Sequence, residues 1–224
     1  MSQQRSPIIV GQVYHVFNRS IAKIPIFLER RNYIRTLELI NYYRYIKPDI
    51  RYSHFNRLPL KEKINFLNNL KKNVKAQVEI LAFCLMSNHF HFILKELEEN
   101  GIKSFMSNIQ NSYAKYFNLR NDRIGSLFQA KFKSILIEAD EQLIHVCRYI
   151  HLNPYSGYII KSTQEIYDYP WSSFKTYIGE EEFEFVNKSL ILGFFSSVEE
   201  FEKFTLDAAD YQRNISDLKH LILE

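Results

Sequence analysis

The two histidines of the segment Asn88-His89-Phe90-His91 are the first candidates for chemistry in this sequence. They flank one apolar residue and lead into the apolar run 92–94, which favours a β-strand. Residues two apart in a strand point to the same face, so both imidazoles would project side by side. Neutral imidazoles are common metal ligands. The pair therefore predicts half of a divalent metal site, with a merely polar strand surface as the alternative.

A tyrosine and an asparagine further along the chain could complete such a site. Tyr149 and Asn153 lie four residues apart in a segment with helical spacing of apolar residues, so they share one face. A tyrosine hydroxyl can attack a phosphodiester and form a covalent phosphotyrosyl intermediate. Two imidazoles and an amide oxygen can hold a divalent metal that polarises the phosphate. Tyr149 is thus the candidate nucleophile, and Asn153 is the candidate third ligand beside His89 and His91.

Other residues leave alternatives open. Tyr113 and Tyr116 are alternative nucleophiles, although their helix has the apolar pattern of a core element. His15 and His145 could relay protons, although a structural role is favoured for each. A water-using metal-dependent phosphodiesterase would need the histidines but not Tyr149, and a non-catalytic nucleic-acid-binding module would need none of this set.

Hydrophobic periodicity predicts the elements that position these side chains. Strands are predicted at residues 8–18, 78–84, 89–94 and 132–138, with 86–88 as the tight connection of a hairpin. Helices are predicted at 29–45, at 101–119, within the polar stretch 48–76, and over the acidic segment 194–224. The tyrosine helix is predicted to begin at an N-cap, Asp140, and to stop at Asn153-Pro154. The turn-rich region that follows contains Trp171 as a predicted packing anchor.

Polar and basic side chains cluster after the first strand and after the 101–119 helix. The candidate nucleic-acid contacts are Asn18, Arg19, Arg120, Arg123, Gln129, Lys131 and Lys133. Guanidinium and ammonium groups bind phosphates, and aromatic rings stack on unpaired bases. Phe128 and Phe132, interleaved with these groups, could stack in this way or anchor the core. Asn18 and Arg19 could equally serve an ordinary turn.

The length and composition of the chain favour one globular domain with an appendage. The 224 residues are 46% hydrophobic and 24% charged, which is enough apolar material for a core. No stretch approaches 18 uncharged apolar residues, and the N-terminus lacks the apolar core of a signal peptide. No membrane partner is therefore expected. Cys84 and Cys147 lie in apolar surroundings and are expected to be reduced thiols of a cytoplasmic protein.

Absent motifs exclude several classes of site, and the distribution of charge suggests a class of partner. The sequence has no Gly-rich phosphate loop, no cysteine pairs at zinc spacing and no Gly-x-Ser-x-Gly. Residues 179–224 carry 11 acidic against 4 basic side chains, and residues 1–178 carry 14 acidic against 25 basic ones. The basic body suggests a polyanionic partner such as nucleic acid, with a generally basic soluble surface as the alternative.

Four segments in order resemble the single-tyrosine HUH transposases, the insertion-sequence and REP-associated tyrosine transposase family. The segments are Tyr14-His15-Val16-Phe17-Asn18-Arg19, Met86-Ser87-Asn88-His89-Phe90-His91, Gly125-Ser126-Leu127-Phe128-Gln129-Ala130-Lys131-Phe132 and Arg148-Tyr149-Ile150-His151-Leu152-Asn153-Pro154. The resemblance covers roughly residues 8–178. Because the chain is longer than the minimal insertion-sequence enzymes, it is more similar to the REP-associated group.

The resemblance implies an α+β fold with a ferredoxin-like antiparallel sheet, helices on one face and the HUH motif on a central strand. Residues 1–178 would form the catalytic domain, with 48–76 as a basic helical insertion and 179–224 as an acidic helical C-terminal extension. The metal would be Mg²⁺ or Mn²⁺, held by His89, His91 and Asn153, where some members have a glutamine in place of the asparagine. Tyr149 would be the nucleophile.

The resemblance also implies the substrate and the setting. The expected partner is single-stranded DNA presented as a hairpin, which is nicked and rejoined through a 5′-phosphotyrosine intermediate. The protein would act as a monomer or a homodimer in the cytoplasm, in association with the nucleoid.

Overall fold

Four β-strands form one antiparallel sheet at the centre of the fold. The computed structural model describes residues 7–46 and 48–222, with side chains described up to residue 216. The strands are β1 (Val13–Arg19), β2 (Val78–Leu85), β3 (His89–Glu96) and β4 (Lys133–Ile137), in the order β2-β3-β1-β4. All neighbours are antiparallel, and helical crossovers join β1 to β2 and β3 to β4. This is the ferredoxin-like arrangement, and it confirms the predicted fold with the histidine motif on a central strand.

The helices follow the predicted pattern with different ends. Their bounds are α1 (Arg30–Tyr43), α2 (Tyr52–Phe55), α3 (Leu60–Asn73), α4 (Gly101–Arg120), α5 (Asp140–Ser156), α6 (Glu165–Asp168), α7 (Phe174–Tyr177), α8 (Ser189–Leu192), α9 (Val198–Leu206) and α10 (Ala209–Ile222). Helices α2 and α3 lie in the predicted insertion, and α8 to α10 form the predicted C-terminal helical extension. The domain boundary at residue 178 stays a prediction. No helix in the described ranges is long and apolar enough to cross a membrane.

Helices cover both faces of the sheet, so the expectation of helices on one face is wrong. Phe90, Phe92 and Leu94 of β3 point into a core shared with α1 and α4. Ile93, between them, points to the opposite face and packs with Cys147 and other residues of α5. A strand that alternates apolar residues on both faces must be covered on both, because otherwise one row would remain in water. The histidines of β3 lie on the face covered by α5.

A β-bulge in β2 adapts the sheet to the α5 side. The register between β2 and β3 shifts between Ile80 and Ala82. Leu81 and Ala82 consequently both pack in the core beneath α5, whereas Ile80 and Phe83 lie in the other core. The extra residue lets β2 offer two successive apolar side chains to α5.

Both predicted ends of the tyrosine helix are wrong. The N-cap is Ala139, without a side-chain hydrogen bond, and Asp140 is the first helical residue, where its charge still suits the helix dipole. The helix continues through Pro154 to Ser156. A proline removes one backbone donor, and this one lies near the end of the helix. Gly157 N still donates to Asn153 O at 2.8 Å, so the last turn remains closed.

Residues beyond α5 contribute to the core on its apolar face. Phe174, Tyr177, Ile191 and Phe201 are buried in the same core as the apolar face of α5. Trp171 is a packing anchor as predicted, and its ring stacks on Tyr33 with centroids 4.4 Å apart. The apolar face of the tyrosine helix therefore packs against residues of both the sheet and the C-terminal region.

Candidate active site

The two histidines lie at the beginning of β3, beside the end of β1. In the strand register His91 is opposite Phe17 and His89 is opposite Arg19. Their ring centroids are 5.2 Å apart, and His91 is buried whereas His89 is partly exposed. The structure therefore brings the imidazoles side by side on one face, as their spacing predicts.

Hydrogen bonds orient both imidazoles and leave one ring nitrogen of each available. Asn88 Oδ1 accepts from His89 Nδ1 at 2.6 Å, because an amide oxygen can only accept. His91 Nδ1 lies 2.9 Å from Nε2 of His15. When Nδ1 of each ring carries the proton, Nε2 keeps its lone pair. Partners of this kind commonly orient metal-binding histidines.

The electrostatics of the pair favour neutral rings. Burial lowers the pKa of His89 to about 4, with a further contribution from the charge of Arg19. Burial also lowers the pKa of His91 well below its ordinary value, and the neighbouring His89, His15 and Arg19 act in the same direction. Neutral imidazoles are the form that ligates a metal. The pair thus fits a divalent cation without first losing protons at neutral pH.

His15 belongs to this site, although the sequence favoured a purely structural role for it. Beyond its hydrogen bond to His91, its ring lies 6.0 Å from the ring of Tyr149. Burial lowers its pKa to about 4. The signal that could have found it is the alternation of β1, which puts His15 on the same face as Phe17 and Arg19. The pairing of β1 with β3, which brings it to His91, is not readable from β1 alone.

Tyr149 reaches the histidines from α5. Its ring meets that of His91 edge-on, with centroids 5.6 Å apart, and 38% of the residue remains exposed. Burial raises the pKa of its hydroxyl, while the side chain of Asn153 and the charge of Arg19 act in the opposite direction. The Tyr149 ring therefore lies beside His91 and is partly open to solvent. The alternative Tyr113 is buried in the other core, and its hydroxyl donates to Ile26 O at 2.5 Å.

The side chain of Asn153 is oriented by the main chain of α5. Its Nδ2 donates to the main-chain oxygen of Tyr149 at 2.8 Å, which turns Oδ1 away from that carbonyl. Asn153 also lines the cavity that contains the histidines. Within the described part of the chain, no three His, Cys, Asp or Glu side chains are grouped as a metal cluster. Two imidazoles and one amide oxygen are a donor set that suits a divalent ion and leaves positions for substrate.

One cavity of about 750 Å³ unites most of the predicted residues. Four of the candidate DNA contacts line it, namely Asn18, Arg19, Gln129 and Lys133. Asn18 is buried, and its Nδ2 donates to Gln129 O and to Gln110 Oε1. Its amide therefore mainly stabilises the wall of the cavity. Gln129 N in turn donates to Arg19 O. These bonds hold the predicted loop against the end of β1.

The other three candidate DNA contacts lie outside this cavity. Arg120 is exposed at the end of α4. Arg123 donates to Asn118 Oδ1 and Ser126 O, which closes the loop after α4. Lys131 lines a separate cavity of about 610 Å³ beside α4. Phe128 is buried in the core, as its alternative interpretation predicted.

The sequence did not single out the C-terminal wall of the cavity. Arg148, Tyr211, Gln212 and Ile215 line it together with the predicted residues. The last three belong to α10, more than 50 residues after the tyrosine. No local motif distinguishes them, because their proximity depends on how α10 packs against α5.

Comparison with known proteins agrees with this fold. The family model described as "Transposase IS200 like" matches residues 37–153, which is more than half of the chain. A solved structure of the REP-associated tyrosine transposase bound to a REP hairpin is similar, with a TM-score of 0.54 and 16% identity over 84% of this chain and 98% of that chain. At this identity the likeness shows the fold alone. No curated protein matches the chain. The family match shows that the chain belongs to the IS200-like transposases.

Proposed function

We propose that this protein nicks and rejoins single-stranded DNA through a covalent bond between Tyr149 and a 5′-phosphate. The observation that carries the proposal is the single cavity that holds Tyr149, His89, His91 and Asn153 together with basic side chains. Binding DNA would require the cations but no tyrosine 5.6 Å from a buried, neutral histidine. The membership in the transposase family supports the same chemistry.

The reaction is a transesterification in two steps. The hydroxyl oxygen of Tyr149 attacks the scissile phosphorus and forms a new P–O bond, while the bond from phosphorus to the 3′ oxygen breaks. The 3′ oxygen leaves with the electron pair and takes up a proton, and the phenolic proton passes to water in the open cavity. Because the phosphotyrosine retains the energy of the ester, a free 3′-hydroxyl can attack it and reverse the step. Strand transfer follows when that hydroxyl belongs to a different strand.

The chain offers ligands for a metal that would assist this reaction. His89, His91 and Asn153 would hold Mg²⁺ or Mn²⁺, which when bound supplies charge that polarises the scissile phosphate. The hydrogen bonds to Asn88 and His15 keep the two rings oriented for that role. The pKa of Tyr149 is raised by burial, so its hydroxyl remains protonated until the attack.

The basic rim would bind the phosphates around the scissile bond. Arg19 and Lys133 line the cavity on the side of β1 and β4. Lys133 is exposed, with its Nζ 5.9 Å from the centre of the Phe17 ring. We propose that the substrate is a DNA hairpin with an unpaired flank, which agrees with the hairpin bound in the similar structure. Nucleotides of the flank would enter the cavity, since unpaired strands expose both phosphates and bases.

All of these groups come from one chain, so the site does not require a second copy. We propose a monomeric active unit, although a homodimer built from two complete sites would work in the same way. Sedimentation at the concentrations of the cleavage assay would distinguish them. The proposed setting is the cytoplasm, at the nucleoid.

The decisive experiment is a search for the covalent intermediate. Labelled hairpin DNA with a single-stranded flank is incubated with the protein and Mg²⁺ or Mn²⁺, and a denaturing gel is examined for a protein–DNA adduct. The wild type should form the adduct and Tyr149→Phe should not. Tyr211→Phe is the matched control, because Tyr211 is an exposed tyrosine of the same cavity. An adduct that persists in Tyr149→Phe would overturn the assignment, cleavage without an adduct would favour a phosphodiesterase, and binding alone would favour a non-catalytic module.

A further inference from the structure

Helix α10 makes a direct hydrogen bond to the main chain of the candidate nucleophile. Gln212 Nε2 donates to Tyr149 O at 3.1 Å and to Ser156 Oγ at the same distance. Gln212 also lines the cavity that contains the histidines. It lies outside residues 37–153, to which the family model corresponds. A side chain from the C-terminal extension therefore touches the backbone that carries the reactive hydroxyl.

Two neighbours of Gln212 fix α10 against the end of α5. Asp210 Oδ1 accepts from the hydroxyl of Tyr155 at 2.7 Å. The guanidinium of Arg213 donates to Tyr155 O and Ile160 O and stacks on the ring of Tyr155. A cation at the carboxyl end of a helix is favourable because it satisfies carbonyls that lack helical partners. These contacts join α10 to α5 at points separate from the bond between Gln212 and Tyr149, so no single one of them holds the helix in place.

The carbonyl of Tyr149 is shared by two side-chain amides. Asn153 Nδ2 and Gln212 Nε2 both donate to it, at 2.8 and 3.1 Å. The bond from Asn153 fixes which end of that amide points to the backbone, and its Oδ1 must then point the other way. A carbonyl held by Gln212 cannot move freely away from Asn153. Gln212 thereby acts on the nucleophile and on the candidate ligand through one oxygen atom.

We propose that Gln212 is a positioning residue that sets the place of the Tyr149 hydroxyl and the orientation of the Asn153 amide. The proposal rests on the proposed function, since it assigns Gln212 a part in the reaction of Tyr149. Small displacements of reacting groups are costly, because attack requires the oxygen close to phosphorus and in line with the leaving group. The C-terminal extension is thus a structural part of the active site.

The test compares side chains of similar size at position 212. Gln212→Met keeps the length of the side chain but cannot donate a hydrogen bond. Gln212→Glu, when ionised, places only acceptor oxygens next to Tyr149 O and Ser156 Oγ. Single-turnover adduct formation at saturating hairpin DNA should slow roughly tenfold in both variants. In Gln212→Met the DNA concentration for half-maximal rate should change less than about twofold, because neither glutamine nor methionine carries a charge for the phosphates.

Arg213→Met is the matched control. Arg213 also joins α10 to α5, but it bonds Tyr155 and Ile160 and does not line the cavity. It should lower the melting temperature and leave the rate of adduct formation at the wild-type value below that temperature. An equal loss of rate in Arg213→Met would overturn the proposal, because the effect of Gln212 would then be ordinary helix packing. An unchanged rate in Gln212→Met would also overturn it.

A spectroscopic measurement separates this proposal from the proposed function. The full chain is labelled with 3-fluorotyrosine, and the fluorine resonance of Tyr149 is identified by its loss in Tyr149→Phe. Gln212→Met should shift, broaden or split this resonance, whereas Arg213→Met should leave it in place. If the wild type forms no adduct, the proposed function fails, and the resonance still decides whether Gln212 positions the tyrosine. An unchanged resonance in Gln212→Met would overturn the positioning role.

Discussion

Replacing His15 by phenylalanine should reduce DNA cleavage even at temperatures where the variant remains fully folded. His15 Nε2 lies 2.9 Å from His91 Nδ1, and burial keeps both rings neutral by lowering their pKa values. Phenylalanine preserves the packing on Phe17, whose ring centroid is 4.8 Å away, but removes the nitrogen. Leaving a buried donor unpaired costs about 1–3 kcal/mol of stability. Loss of the partner that orients a metal-binding histidine typically costs 10–100-fold in activity or affinity, which corresponds to about 1.4–2.8 kcal/mol.

The assay is single-turnover adduct formation at a fixed Mg²⁺ or Mn²⁺ concentration, with urea unfolding in parallel. His15→Phe should slow adduct formation about 10–100-fold at a temperature where the variant is fully folded. His15→Gln, which can still offer a polar group to His91, should lose less. His54→Phe is a control at an exposed position of α2 and should retain the wild-type rate. A rate for His15→Phe within about twofold of the wild type would refute the view that His15 orients His91 for the reaction.

Two further predictions concern DNA affinity and the fold. Lys133→Ala should weaken hairpin binding and reduce the slope of log affinity against log salt by about 0.7, as measured by fluorescence anisotropy. Arg120→Ala, outside the cavity, should alter the affinity for the unpaired flank less. A larger loss of affinity in Arg120→Ala than in Lys133→Ala would contradict the assignment of the cavity to that flank. Glu96→Ala should lower the free energy of unfolding by about 2–4 kcal/mol, because the buried carboxylate accepts from Gly101 N at 3.0 Å and from Ile102 N at 2.6 Å. The ion pair between Glu98 and Lys75 is exposed, so Glu98→Ala should change the free energy of unfolding by less than about 1 kcal/mol. Equal losses of unfolding free energy in the two variants, measured by urea unfolding, would contradict the capping role of Glu96.

The sequence predicted those parts of the fold that depend on local periodicity. The strand of the histidines and helices α1 and α4 were predictable because apolar residues recur at the spacing of each element. The end of α5 was not, because its continuation through Pro154 is favoured by packing and by contacts from α10 that lie far away in sequence. Helix cover on both faces was also missed, although Phe92 and Ile93, apolar neighbours on β3, already require it.

The candidate site divides in the same way between local and distant signals. His89 and His91 lie two residues apart on a strand, and Tyr149 and Asn153 lie four residues apart on a helix. Each pair was therefore predictable from its spacing alone. His15 and Gln212 contact those pairs only through the order of the strands and the docking of α10. Their chemistry is ordinary, one neutral imidazole and one amide, so residue type gives no warning of their position. The candidate reacting groups are predictable from local pattern, whereas the position of the residues that contact them depends on the tertiary fold.

The sheet and helix α5 position different groups of the candidate site. The histidines stand on a central strand that is paired on both sides, where the backbone has little freedom. Tyr149 stands on a helix that contacts the sheet through one face and α10 through another, so its position depends on both surfaces. The basic rim residues Arg19 and Lys133 come from β1 and β4, which belong to the same sheet as the histidines. Under the proposed function, a DNA strand bound by Arg19 and Lys133 would be placed relative to the histidines, and the packing of α5 and α10 would decide whether the Tyr149 hydroxyl meets it in line.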